Sequence, residues 1–198
     1  MLKNKGQQIV DAAIRRFIYY GIAKTTMEDI AQDIALAKPS LYHYFDSKNH
    51  LVRAVFDHVL NEYLCLLNAI KLNQSLERIL DEVIKIQRRL FQKYALLGCS
   101  KDLFLNPKDK ILNHKFLKIK FIHINFLTNV FHAASRKIEV QSENIDKLVD
   151  LYFSCMYGMF LNHFFQKQTV ISIAHRQHLH LYQHARMFSS IFIKGLKV

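Results

Sequence analysis

The sequence predicts an all-α protein of about nine helices, divided into a small N-terminal domain of three helices and a larger helical domain. Only five glycines and two prolines occur among the 198 residues, so few positions favour the end of a helix. Hydrophobic residues make up 51% of the chain, which is enough for a buried core. Apolar side chains recur at helical spacing along most of the sequence. The expected domains are residues 1–47 and 48–198.

The composition argues against several classes of protein. No stretch reaches the ~18 apolar residues that a spanning helix needs, and the N-terminus lacks an apolar run of signal-peptide length. Cys65, Cys99 and Cys155 are odd in number and form no CxxC pair, which is typical of buried thiols in a reducing compartment. We therefore expect a cytoplasmic protein.

Metal and catalytic sites are weakly indicated. The pairs His175/His178 and His180/His184 have chelating spacing, but they point to different sides and no carboxylate or cysteine accompanies them. The five glycines are far apart, so no glycine-rich phosphate-binding loop is expected. No Ser/Cys–His–acid set stands out. The expectation is a protein that is not an enzyme and has no metal or cofactor.

The formal net charge of +12 favours a polyanionic partner. The charge is unevenly distributed, because the first 50 residues carry seven Lys/Arg against five Asp/Glu, and no acid follows Asp150. Overall charge therefore supports a nucleic-acid partner without locating the surface that would bind it.

The first 34 residues predict two helices. Gly21 lies where the C-cap of the first helix, about residues 5–20, is expected. Thr26 followed by Asp29 resembles a capping box at the start of the second helix. The apolar sides are formed by Ile9, Val10, Ala13, Ile14 and Phe17 in the first helix, and by Ile30, Ala31 and Ile34 in the second.

A third, short helix follows a break at Ala35–Ala37. Pro39 suits the first turn of this helix, where its missing N–H leaves no hydrogen bond unmade. Two helices joined by a tight break, after a preceding helix, are typical of a helix-turn-helix.

The third helix, in the segment "AKPSLYHYFDSK" at 37–48, carries an exposed polar set. Leu41 and Phe45 are four residues apart and can anchor this helix on the core. Polar and aromatic side chains that suit phosphates and base edges are then left off the core, and Lys48 follows at the start of the next helix. The alternative for each residue singly is a solvated helix face, but the whole set favours a surface for DNA. The set is Lys38, Ser40, Tyr42, His43 and Tyr44.

The segment "GIAKTTMEDIAQDIALAKPSLYHYFDSKNHL", residues 21–51, resembles the DNA-binding segment of TetR-family transcriptional regulators. The shared pattern is a glycine ending the first helix, a Thr pair, D-I-A, and Lys-Pro-Ser-Leu-Tyr-x-Tyr-Phe-x-Ser-Lys. The resemblance covers about the first quarter of the chain. It implies that Thr25 or Thr26, Ser40, Tyr42, Tyr44 and Lys48 contact the DNA backbone, and that Lys38, Pro39 and His43 face bases.

The chain departs from the TetR pattern at the turn. Ala35 stands where the family usually has glycine, and Ala37 where it usually has serine. A left-handed alanine costs ~1 kcal/mol relative to glycine, and loss of a serine cap costs about another 1 kcal/mol. These departures predict a weakened turn and an intact motif. For Glu28, a favourable interaction of its carboxylate with the dipole of the second helix is the preferred role, and a hydrogen bond to a cytosine amino group is the alternative.

The rest of the chain predicts further helices. Helical spacing continues from Lys48 to Gly98, Asn106–Pro107 indicates a connector, and a central helix is expected at 109–136. The segment at 148–165 is apolar almost all round, and the last helix has a regular apolar stripe. A second copy of the chain is the better cover for these two helices than a membrane, which gives a homodimer with a four-helix interface. The candidate interface residues are Gly158, Leu181, Ala185, Phe188 and Phe192.

The TetR resemblance implies a ligand cavity in the C-terminal domain. The aromatic content favours a small hydrophobic or aromatic effector, and the positive charge is compatible with an anionic one. A plain core position is the more frequent role for each such residue. The candidate pocket residues are Tyr63, Phe91, Phe104, Phe121, His123, Phe126, Tyr152 and Tyr157.

These expectations together describe a repressor that binds a palindromic operator as a homodimer and is released by a small molecule. One rival is a helix-turn-helix DNA-binding protein without small-molecule sensing, controlled by a protein partner. A second rival is an all-α enzyme whose N-terminal motif is incidental.

Overall fold

The computed structural model describes residues 4–98, 110–137, 140, 144–166 and 174–196, and these residues form eight α-helices without a β-strand. The all-α prediction is confirmed. The connector expected at Asn106–Pro107 falls outside the described residues, and about nine helices were expected where the described residues show eight. The helices are α1 (Lys5–Tyr20), α2 (Met27–Asp33), α3 (Lys38–Tyr44), α4 (Lys48–Asn68), α5 (Leu76–Gly98), α6 (Lys110–Arg136), α7 (Ile145–Gln166) and α8 (Ala174–Lys194).

The chain forms two compact units. The first comprises Met1–Cys65 with Leu90–Phe116, and the second comprises Leu66–Arg89 with Leu117–Val198. The predicted boundary between residues 47 and 48 falls at the start of α4. This boundary, which separates the DNA-binding part of the chain from the rest, stays a prediction. No helix in the described ranges has the length and apolar character to cross a membrane.

The first unit is built on the apolar side of α1. The Asn4 side chain accepts a hydrogen bond from the Gly6 N–H and so caps the start of α1, while Gly21 ends the helix with φ 82°. The positive φ is a conformation that glycine adopts without steric cost. One apolar side from each of the first four helices closes this core, with Ile9, Phe17, Ile30, Leu41 and Leu51 fully buried.

The second unit has an aromatic core. Phe131 of α6, Tyr152 of α7 and Phe192 of α8 lie within ring-to-ring contact of one another, and Phe188 stacks on Tyr152 with centroids 5.7 Å apart. The Tyr152 hydroxyl donates a hydrogen bond to Ser189 Oγ at 3.1 Å. This partner satisfies the one polar atom of a ring that is otherwise buried.

Candidate nucleic-acid interface

A complete capping box begins α2. Thr26 Oγ1 accepts a hydrogen bond from the Asp29 N–H at 3.1 Å, and the Thr26 N–H donates to Asp29 Oδ2 at 2.8 Å. These hydrogen bonds from Thr26 hold the pKa of Asp29 below its usual value. The capping box predicted from the sequence is therefore confirmed, and it fixes the start of the first helix of the motif.

The turn between α2 and α3 has both features expected from its two alanines. Ala35 adopts a left-handed conformation with φ 49°, and Ala37 occupies the N-cap of α3 without a side-chain hydrogen bond. The Leu36 N–H donates to the Ala31 carbonyl at 2.9 Å, which closes the end of α2. The backbone thus forms the tight turn even though neither alanine is the residue best suited to its position.

Two apolar side chains hold α3 on the first unit. Leu41 is fully buried and Phe45, the residue that ends α3, is 8% exposed. The remaining residues of α3 are exposed, and Tyr42 and Tyr44 keep 41% and 43% of their surface accessible. The residues of α3 that are predicted to contact DNA are all exposed: Lys38, Pro39, Ser40, Tyr42, His43 and Tyr44.

Two of the residues that are predicted to contact DNA already donate hydrogen bonds to backbone carbonyls within the protein. Thr25 is buried, and its hydroxyl donates to the Gly21 carbonyl at 2.9 Å. Lys48 Nζ donates to the Ala23 carbonyl at 3.3 Å, and partial burial lowers the pKa of Lys48. Of the Thr pair, only Thr26 is exposed.

An ion pair across the helix-turn-helix was missed by sequence reasoning. Lys38 Nζ in α3 lies 2.8 Å from Glu28 Oε2 in α2. A hydrogen bond from Lys38 to Glu28, together with the attraction of their charges, raises the pKa of Lys38. The two residues are ten positions apart, and no local spacing rule brings them together. Opposite charge on neighbouring helices was the available signal.

The predicted pocket residues fall in different environments. Tyr63 is buried in the first unit and Tyr152 in the second. Phe91 and Phe126 are partly buried, whereas Phe104 lies outside the described residues. The remaining two aromatic residues, Phe121 and Tyr157, are 65% and 51% exposed, which does not suit the lining of an enclosed pocket.

His123 has the clearest polar environment among the predicted pocket residues. Its Nδ1 lies 3.5 Å from Gln87 Nε2, and its ring meets Phe153 edge-on with centroids 5.4 Å apart. Burial lowers the pKa of His123 to about 4, so the ring is neutral at physiological pH. A neutral ring can accept from the Gln87 amide and donate through its other nitrogen.

A groove of about 560 Å³ lies in the second unit and is lined mostly by polar side chains. Asp81 of α5 and Arg186 of α8 face each other there at 2.6 Å. The predicted pocket residues are not among the residues that line this groove. The sequence predicted a pocket lined by aromatic residues and did not predict a polar groove between these helices.

The candidate interface residues of α8 lie mainly inside the second unit. Leu181 and Ala185 are 5% and 0% exposed, and Phe188 and Phe192 belong to the aromatic core around Tyr152. The regular apolar stripe that suggested an interface is therefore the face that packs within the protomer, as expected for the strongest stripe of an amphipathic helix.

Other apolar side chains of the last two helices reach the surface. Leu151 and Tyr157 of α7 are 54% and 51% exposed, and Met187 and Ile191 of α8 are 63% and 58% exposed. Gly158 is also exposed, and no atom lies within 4 Å of a Cβ built on it. Among the side chains of α7 and α8 whose burial is described, these residues, rather than Leu181 and Ala185, form an accessible apolar surface.

Comparison with known proteins agrees with this architecture. Residues 9–55 match the family of bacterial regulatory proteins, tetR family. The chain is 26% identical over 160 residues to the biofilm operon icaADBC HTH-type negative transcriptional regulator IcaR of Staphylococcus aureus, covering 76% of this chain and 81% of that protein.

Solved structures share the fold over almost the whole chain. A transcriptional regulator from Cytophaga hutchinsonii superposes with a TM-score of 0.86 at 21% identity, covering 97% of this chain and 98% of the other. A protein from Saccharomonospora viridis, described as a transcriptional regulator and solved in complex with choline, gives a TM-score of 0.67 at 15% identity and covers 93% and 95%. Residues 9–55, which include the helix-turn-helix of 27–44, thus match the tetR family of bacterial regulatory proteins, and the relatives and the fold support a TetR-family transcriptional regulator rather than an enzyme.

Proposed function

We propose that the protein is a repressor that binds a palindromic operator as a homodimer and leaves it when a small effector binds. The observation that carries the proposal is the anchoring of α3 by Leu41 and Phe45, which leaves Tyr42, Tyr44 and Ser40 exposed together. A helix held in this way can enter a major groove, with hydroxyl groups directed at phosphates. Repression is supported by similarity to a negative transcriptional regulator.

The backbone-contacting residues are proposed to be Ser40, Tyr42, Tyr44 and Thr26, with Lys38, Pro39 and His43 facing bases. Thr25 and Lys48 are proposed to hold the segment that leads into α2 in place, because each donates a hydrogen bond to a backbone carbonyl of that segment. Lys48 also contributes positive charge next to this surface. The net charge of +12 supports binding to a polyanion.

The homodimer is proposed to form through the exposed apolar side chains of α7 and α8. Leu151, Tyr157, Met187 and Ile191 would be covered by the same residues of a second copy around a two-fold axis. Exposed Gly158 would let the partner helix approach closely. To read two half-sites on one side of a duplex, the two α3 helices of the dimer would have to lie about 34–36 Å apart, the separation of successive major grooves.

The effector is proposed to be a small hydrophobic or aromatic molecule that binds in the second unit. Its aromatic core and the neutral His123 support such a ligand, and the protein from Saccharomonospora viridis was solved with the small molecule choline. The positive charge supports an anionic variant of this ligand. A regulator of this kind acts in the cytoplasm.

Binding to DNA from upstream of the protein's own gene tests the first part of the proposal. We expect the parent protein to shift this DNA at low salt, with an affinity that falls steeply as salt rises. Tyr42→Ala should weaken binding while the circular dichroism spectrum stays helical. Tyr19→Ala is the matched control, because Tyr19 is 76% exposed in the same unit but belongs to α1. Failure of the parent to bind any DNA at low salt contradicts the proposal.

A protein without small-molecule sensing, controlled by a protein partner, is the second candidate. The exposed apolar residues of α7 and α8 would suit such a partner as well as a second copy. Titration of small molecules against the DNA complex separates the two. Release by a defined class of compound supports an effector, whereas release only by a cellular protein supports the second candidate.

A further inference from the structure

The Glu28–Lys38 ion pair lies on the surface that is proposed to face DNA. Glu28 is in the first turn of α2 and Lys38 is the first residue of α3, so the pair bridges the two helices of the motif. Lys38 Nζ and Glu28 Oε2 are 2.8 Å apart, and the side chains of Glu28 and Lys38 are 62% and 50% exposed, respectively. Both charged ends are therefore accessible to another molecule.

Folding alone does not explain this pair. Ion pairs between exposed side chains contribute little to stability, because water screens the charges and two long side chains lose freedom. A carboxylate beside DNA also repels phosphates, so Glu28 weakens any binding that depends on the backbone alone. An acid at this place is favourable in a complex only where it meets a hydrogen-bond donor.

The major-groove edge of a G·C base pair supplies the complementary groups. Guanine presents two acceptors, N7 and O6, and cytosine presents the N4 amino donor next to O6. Guanine O6 and cytosine N4 are themselves hydrogen-bonded, so they lie about 2.9 Å apart. Lys38 Nζ and Glu28 Oε2 have nearly the same separation. A lysine ammonium has three N–H groups, so it can keep its bond to Glu28 and still donate to guanine.

We propose that Glu28 and Lys38 together read one G·C base pair in each half-site, with Lys38 on guanine and Glu28 on cytosine. The inference rests on the proposed function, since it requires α3 to lie in a major groove. The pair also makes the protein selective: Glu28 rewards the correct base pair and penalises contacts made only to phosphates.

The same two side chains fit the other base pairs less well. On T·A in the matching orientation, thymine O4 and adenine N6 offer the same acceptor and donor, but a methyl group replaces the second acceptor that guanine N7 offers Lys38, and adenine N7 lies beside N6, close to the Glu28 carboxylate. On the reversed C·G pair, the ammonium faces the amino donor and the carboxylate faces O6 and N7. On T·A the carboxylate thus lies beside the acceptor N7, and on C·G both charged groups of the protein face base atoms of like charge.

Selection from a pool of random DNA duplexes tests this inference. The full-length parent, Glu28→Gln and Lys38→Gln are each used to enrich duplexes, and the enriched pools are sequenced. Glu77→Gln is the matched control for Glu28→Gln, because it removes the same charge from an exposed residue in the second unit. The readout is the base preference at every position of the selected half-site.

We expect the parent to select a half-site with one strongly preferred G·C pair. Both Glu28→Gln and Lys38→Gln should reduce the preference at that position by about fivefold or more and leave the others intact. Glu28→Gln should also bind duplexes of unrelated sequence more tightly, and Glu77→Gln should keep the parental preferences. If the parent selects a half-site whose preferences both variants retain, the inference is wrong while the proposed function stands. If the parent selects no sequence, the proposed function itself is contradicted.

Discussion

The guanidinium of Arg16 in α1 donates two hydrogen bonds to the carboxylate of Asp33 at the end of α2, from Nε at 2.6 Å and from Nη2 at 2.7 Å. A second carboxylate of α2, that of Asp29, lies 3.9 Å from the same guanidinium. A planar fork with two parallel hydrogen bonds fixes orientation as well as distance. Arg16 therefore sets how α2 lies on α1, and with it the position of Glu28.

The first prediction concerns the acid stability of this contact. The hydrogen bond from Arg16 lowers the pKa of Asp33, and the hydrogen bonds from Thr26 lower that of Asp29. A carboxyl whose pKa is lower in the folded state stabilises the fold above its unfolded pKa, about 4. This stabilisation is lost as the pH falls through the folded pKa values.

Urea unfolding between pH 7 and pH 3 measures this effect. For the parent, we expect the urea concentration at the unfolding midpoint to decrease once the pH is lower than about 4. Asp33→Asn should show a smaller decrease over the same pH range, because one of the two carboxyls with a lowered pKa is gone. Arg16→Met should also reduce the fall, because it removes the partner that lowers the pKa of Asp33. Arg15→Met is its control, since Arg15 is the exposed neighbour. Equal acid sensitivity in Arg15→Met and Arg16→Met would contradict a special role for the Arg16–Asp33 contact.

The second prediction is that the turn can be stabilised by restoring two residues. Ala35→Gly removes the steric cost of φ 49° and should stabilise the protein by about 1 kcal/mol. Ala37→Ser supplies the missing side-chain cap of α3 and should add about 1 kcal/mol. Denaturant unfolding gives both values. Ala23→Gly, at an exposed position before α2, is the comparison that should not be stabilised.

The helix-turn-helix could be predicted because its determinants are local. The Thr26–Asp29 cap, Pro39 in the first turn of α3, and the spacing of Leu41 and Phe45 are each defined within four residues. Contacts between helices, such as Arg16–Asp33 and Glu28–Lys38, depend on how the helices cross, and residue types alone leave many pairings open. These two contacts are therefore identified only by the three-dimensional structure.

The surface of the last helix shows the same difference. The spacing of Leu181, Ala185, Phe188 and Phe192 correctly identified a packed stripe, but periodicity does not say whether the stripe packs within one protomer or against another. The exposed Ile191 lies outside that stripe. Only the burial of each side chain distinguishes the two surfaces.

The third prediction concerns self-association. Ile191→Asp places a charge in the exposed apolar surface of α7 and α8, and we expect it to convert a dimer into a monomer because burying an unpaired carboxylate is unfavourable. Light scattering during size-exclusion chromatography measures the mass. Leu72→Asp is the matched control, since Leu72 is 43% exposed but lies between α4 and α5. A dimer that survives Ile191→Asp would show that the contact lies elsewhere.

The fourth prediction follows from His123. Burial lowers its pKa from 6.5 to about 4, so the folded state holds the ring neutral over a range in which the unfolded chain binds a proton. The unfolded state therefore takes up more protons between these values, and stability falls as the pH drops from about 6.5 towards 4. The full effect is roughly 3 kcal/mol, because each unit of pKa difference corresponds to about 1.4 kcal/mol.

His123→Gln should flatten this part of the stability curve. Glutamine keeps a polar group near Gln87 but does not titrate, so the difference in unfolding free energy between pH 7 and pH 4.5 should shrink relative to the parent. His180→Gln is the control, because His180 is exposed. An unchanged slope in His123→Gln would mean that the ring takes up its proton in the folded protein near the ordinary value. His123 would then be hydrated, and its place among apolar neighbours would have to be open to water.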